Sequence, residues 1–102
     1  MSSFENAMKK CKSVLEATAV MEGNPLKGHK DLSALIYKDT ECDVLVIKGA
    51  ESCSIGLMLD QWIFCYEFKY NGEFLHYEPM TRKDLAWALS PEVTSAPVFP
   101  EK

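Results

Sequence analysis

A thiol, a carboxylate and an imidazole stand close in pattern: Cys65 and Glu67 lie two apart in an alternating run, and His76 follows an Asn71-Gly72 turn. On a hairpin closed by that dipeptide, residues two apart share a face, and His76 falls opposite Glu67 beside Cys65. A nucleophile, a base and an orienting acid are the parts of covalent cysteine catalysis. These three would lie flat on a regular sheet, with no loop cleft and no backbone donors for an oxyanion. A Glu67–His76 hydrogen bond is the simpler expectation, and no catalytic residue is assigned.

The same run, WIFCYEFKY, carries rings at every second position: Trp62, Phe64, Tyr66, Phe68 and Tyr70. Stacking of bases on exposed aromatics contributes about 1–3 kcal/mol each, so an open row of this kind would hold a single strand firmly. Such platforms work with positive charge around them, whereas Lys69 here is set among Glu67, Glu73 and Glu78. Burial beneath a helix is the competing reading and the one adopted, with one or two rings left over at the sheet edge. The candidate ligand or partner residues are therefore Trp62, Tyr70, Tyr77 and Trp87, with Lys27, Lys30 and Lys48 for charge. Glu67 and His76 join them on the mixed polar and apolar side of the hairpin, through which a homodimer could form.

Other chemistry finds less support. Cys11, Cys42, Cys53 and Cys65 are spaced 31, 11 and 12 residues apart, without a C-x-x-C pair, so neither a metal nor a cofactor is expected. Reduced, buried thiols are expected instead. Glycine-rich phosphate motifs are missing, and Lys27, His29 and Lys30 around Gly28 read as a solvated loop that could touch a small anion. A net charge of −4 argues against nucleic acid, which calls for a basic face. The apolar run Ile55–Phe64 is broken by Asp60 and is far below the ~20 residues of a membrane span. With no signal-like opening either, a cytoplasmic address is expected.

The elements that must position these residues follow from periodicity. Phe4, Ala7, Met8, Cys11, Val14, Leu15, Thr18 and Met21 form a helical stripe, capped by Ser2 with Glu5 and stopped by Gly23 and Pro25. Strands are expected over 33–37, 42–48, 53–59, 61–70 and 73–77. A short helix is the alternative for 53–59, where Gly56 marks a bulge or a close approach. The run 42–48 is apolar on both faces and suits a central strand. Asn71-Gly72 predicts a two-residue turn, with Tyr70 facing Glu73, Phe68 facing Leu75 and Tyr66 facing Tyr77. Pro79 is read as the strand's end, and Thr81 with Asp84 as the cap of a short C-terminal helix. The predicted fold is α+β: a long N-terminal helix on a four- or five-stranded antiparallel sheet with a short C-terminal helix. Residues 1–90 form the domain, and 91–102 a Pro-containing extended tail.

The run from Asn71-Gly72 through Tyr77-Glu78-Pro79-Met80-Thr81-Arg82-Lys83-Asp84-Leu85-Ala86-Trp87 resembles the closing hairpin and D-L-x-A helix of small phage proteins that sequester nucleotide immune signals. The architecture is also similar to that of acidic secretion chaperones. The chain is assigned to no family on either likeness. The expected function is a non-catalytic, protein-binding accessory or inhibitor module of bacterial or phage type. A nucleotide-binding or nucleotide-sequestering protein is the alternative, and a cysteine enzyme the third.

Overall fold

A computed structural model describes residues 3–89. The expected cap at Ser2 and the tail from residue 91 lie outside them. One α-helix, α1 (Ser3–Thr18), precedes six strands: β1 (Asn24–Pro25), β2 (Ser33–Tyr37), β3 (Val44–Lys48), β4 (Ser52–Leu59), β5 (Trp62–Lys69) and β6 (Phe74–Thr81). Every strand pairs antiparallel with its neighbour in sequence, so the sheet order is β1 to β6 without a crossover. The α+β class is as expected, but the sheet has six strands. The extra one is the short β1, whose Asn24-Pro25 reads as a turn in sequence and here lines the edge of β2.

The sheet carries a core on each face. Cys11, Val14 and Leu15 of α1 pack on Leu35, Val44, Val46, Cys53, Ile55, Leu57, Tyr66 and Phe68. On the far side Leu26, Leu85 and Ala88 cover Ala34, Ile36, Leu45, Met58 and Ile63. β3 feeds both cores, Val44 and Val46 upward and Leu45 and Ile47 downward, which is why its sequence is apolar without alternation.

The helix is shorter than its apolar stripe. The Thr18 hydroxyl donates back to the Val14 carbonyl at 2.8 Å. Lys48 Nζ then takes up the end of α1, donating to the carbonyls of Thr18 at 2.9 Å and Met21 at 2.6 Å. A cation placed there satisfies orphan acceptors and meets the negative end of the helix dipole. Gly23 is needed afterwards for approach rather than as the stop, since a Cβ would sit 2.8 Å from Ser33 Oγ and 2.9 Å from Ala34 N.

Three expectations about the C-terminal half are corrected. The Asn71-Gly72 hairpin has a three-residue loop, with Gly72 N–H donating to Lys69 O at 2.9 Å and Lys69 N–H to Glu73 O at 2.9 Å. Gly72 has φ +100°, while Asn71 stays out of the left-handed region that a two-residue turn would require of it. Phe68 therefore faces Phe74, and an irregularity at Glu67/Phe68 inserts one residue before Glu67 meets His76 and Tyr66 meets Tyr77. Tyr70 and Leu75 lose their expected partners, and Phe74 moves to the helix side, 5.8 Å ring to ring from Phe68. β6 also continues through Pro79 to Thr81, which an edge strand permits where the missing N–H would point outward. Finally, the expected second helix is a single 3₁₀ turn at Ala86–Ala88. The expected Thr81–Asp84 bonds do form, backbone to side chain at 3.1 Å each, but they close the preceding turn; Leu85 stands at the N-cap of the 3₁₀ turn without a side-chain hydrogen bond.

Gly56 sits mid-strand in regular register between β3 and β5, which makes it a close approach and not a bulge. A Cβ there would come within 2.6 Å of Ile63 Cγ2, on a fully buried branched side chain with nowhere to swing. Gly56→Ala is expected to cost about 1–3 kcal/mol, measured by urea unfolding with an unchanged slope.

Candidate binding groove

Nothing in α1 is fully buried before Cys11: its C-terminal half seals the sheet, and its N-terminal half overhangs it with Ala7 and Met8 half-buried against the core. Beneath the overhang lies a groove of about 450 Å³, walled by Phe4, Ala7, Leu57, Leu59, Phe64, Tyr66 and Tyr77. Phe4 is its helix-side wall, with its ring 5.6 Å from Tyr66 and 5.7 Å from Tyr77. Tyr66 and Tyr77 touch each other at 4.8 Å, and Trp62 extends the row by stacking on Phe64 at 6.4 Å. The patch is open: Phe4 is 44% exposed, Leu59 49%, Trp62 47% and Tyr77 36%.

The aromatic row is thus divided. Tyr66 and Phe68 are buried under the helix, Phe64 is half-buried, and Trp62 and Tyr70 emerge at opposite ends. Tyr70 turns its hydroxyl onto the Gly49 carbonyl, away from the groove. Its phenol is pushed up, first by burial and then by the neighbouring Cys53. Burial likewise pushes the Tyr66 phenol up to about 12, which keeps that hydroxyl uncharged at neutral pH.

Lys10 closes the polar end of the groove, where it binds both Asp39 and Glu41, the latter at 2.8 Å. The two carboxylates hold its ammonium well above the ordinary lysine range. In return the hydrogen bond from Lys10, followed by that from the Glu41 N–H, holds the Asp39 carboxyl below its usual range. A depressed carboxyl contributes stability above its unfolded value near 4, and the contribution is lost as pH falls through the folded value. Lys10→Met is therefore expected to lower stability slightly at pH 7, by less than about 1 kcal/mol for so screened a pair, read as a small fall in melting temperature. The deficit should close in titrations carried into the acid range.

The remaining candidates do not converge. Lys48 is engaged with the end of α1. Lys27 and Lys30 stand on the exposed loop that follows Leu26, and Trp87 stacks on His29 of that loop at 4.2 Å. Glu67 accepts a hydrogen bond from the Ser52 hydroxyl at 2.9 Å, while His76 turns to Glu78 at 3.3 Å. Cys65 directs its thiol at the Ile63 carbonyl, 3.7 Å away, and burial followed by the Glu78 charge pushes it up to about 11. Burial raises Cys11 to about 12 and Cys53 to about 11, and raises Cys42 as well. All four cysteines are free, and no three metal-ligating side chains gather among the described residues. Thiol labelling at pH 7 is expected to be slow in the native protein and to reach all four cysteines only on unfolding.

Phe4, Ala7, Leu57 and Leu59 escape the sequence-based site list. Their only sequence signal is membership of an apolar stripe, which does not tell where the helix stops covering the sheet.

No protein-family model matches this chain, no curated protein matches it in sequence, and no solved structure matches it. The likeness of Asn71–Trp87 to phage nucleotide-sequestering proteins gains no support from these comparisons. Among the described residues, no helix is long and apolar enough to cross a membrane.

Proposed function

We propose that this chain is a non-catalytic protein-binding module whose groove receives apolar anchor side chains of another polypeptide. The observation that carries this reading is the continuous open patch of Phe4, Leu59, Trp62 and Tyr77 around an apolar cleft. Contiguous exposed rings rimmed by polar groups are the form of surface that partners bury, and aromatic anchors dominate the energetics of such contacts.

The nucleotide reading is weaker on electrostatic grounds. Lys10 is the one cation lining the cleft among the described residues, and it is held by Asp39 and Glu41. A phosphate entering there would displace two carboxylates from their lysine. Lys27, Lys30 and Lys48 lie elsewhere, as described above. The raised Cys65 thiol, with His76 turned to Glu78, favours the non-catalytic reading over the cysteine enzyme.

The test is capture from the native cell with wild type, Leu59→Glu, Phe4→Glu and Lys27→Ala. A partner of the groove should be retained by Lys27→Ala and lost from the other two, each weakening binding by about 2 kcal/mol or more. A partner held equally by all four sinks the proposal. In parallel, a nucleotide panel should leave the melting temperature unchanged. A rise of several degrees at saturating nucleotide, as mass action requires of a tight ligand, would transfer the reading to the alternative.

A further inference from the structure

Among the described residues, β6 pairs with β5 on one side and ends the sheet on the other. The hairpin's hydrogen bonds determine which of its backbone groups face outward. Lys69 bonds Glu73 at the turn, and Arg82 N–H donates to the Gln61 carbonyl at the far end, so odd-numbered residues of β5 carry the ladder. Their partners in β6 are His76, Glu78 and Met80, which leaves Tyr77 and Pro79 directed away from β5. Leu75–Pro79 is exposed throughout and Phe74–Thr81 holds no lysine or arginine; the edge is blunted by Pro79 at one end and the irregularity at Leu75 at the other, which leaves the stretch around Tyr77 regular between them.

We infer that this edge joins two copies of the chain, paired antiparallel about a two-fold axis through Tyr77. Self-pairing of one strand fixes every contact once the axis is chosen. With the axis at Tyr77, the N–H and C=O of that residue bond those of Tyr77 of the partner subunit. His76 then faces Glu78 of the partner subunit, and symmetry repeats the pair. Leu75 faces Pro79 of the partner subunit, whose carbonyl remains free to accept.

Neighbouring registers are worse. An axis at Glu78 sets two carboxylates face to face, and one at His76 two imidazoles. An axis at Pro79 removes both central donors, and one at Leu75 falls on the irregular stretch. Within Leu75–Pro79, Tyr77 alone combines a complete central pair of hydrogen bonds with complementary polar groups. In the single chain, His76 and Glu78 are 59% and 57% exposed and lean on each other at 3.3 Å, so both are free to exchange partners across the axis. The imidazole can donate to a carboxylate whether neutral or charged.

An axis normal to the sheet keeps both copies of α1 on one side. Tyr77 walls the groove, so the partner's Tyr77 would extend that wall and the two grooves would meet at the axis. The inference stands on the backbone and charges of β6 and is independent of what the groove binds.

Sedimentation equilibrium of the full chain across a concentration series tests it, with cooperative melting checked for each variant. Wild type should reach twice the 11.5 kDa chain mass. Glu78→Arg, which sets a cation against the imidazole, should weaken association about tenfold or more. Tyr77→Pro should abolish it by removing the central donors, and Leu59→Glu in the groove should leave it intact. The double swap of His76→Glu with Glu78→His should restore the dimer, a recovery that a folding defect would not produce. Wild type that is monomeric throughout overturns the inference. So does a dimer indifferent to Glu78→Arg and Tyr77→Pro, or a monomer whose β6 edge captures the strand of a different protein.

Discussion

The architecture is governed by a mismatch of widths. Six strands at about 4.8 Å spacing make a sheet some 24 Å across, whereas a helix with its side chains is about 10 Å wide. A single helix of 16 residues closes only part of that face, and it closes the part where Cys11, Val14 and Leu15 meet β3, β4 and β5. What it leaves uncovered is the aromatic cleft. The fold therefore creates the candidate site by running out of helix, and no separate loop or insertion is required to build it.

Much of this arrangement is legible in the residues. The alternation of β5, the double-sided apolarity of β3, the close approach at Gly56 and the Thr81–Asp84 hydrogen bonds each rest on one short-range rule, and each appears in the structure, although those bonds close a turn and cap no helix. The failures share a different character. Helix length depended on Lys48, thirty residues from Thr18 in sequence, reaching the carbonyls at its end. The hairpin register depended on which of two turn geometries Asn71-Gly72 would adopt, and both are open to that dipeptide. Pro79 stays in a strand because β6 lies at the edge, a property of the whole sheet and not of its neighbours in sequence. Long-range context decides such points, and local pattern does not carry it.

The candidate site shows the same division. Trp62 and Tyr77 are identifiable from ring spacing, whereas Lys27, Lys30 and Lys48 share only their charge, and the sequence does not tell which side of the sheet each reaches. The helix-side cleft and the His29–Trp87 stack belong to different surfaces, built on different cores. A constellation drawn from composition merges them, and the sheet separates them.

The order of the chain also has a kinetic meaning. Because β1 to β6 pair strictly in succession, everything that buries the helix-side core through β5 emerges from the ribosome before the segment carrying Leu85 and Ala88. Until that segment follows and Arg82 latches onto the Asp60 carbonyl at 2.6 Å, Leu45, Met58 and Ile63 have Leu26 over them but lack Leu85 and Ala88. The chain thus passes through a stage with one face finished and the other only partly covered, and apolar surface of that kind is what makes incomplete folding intermediates prone to association.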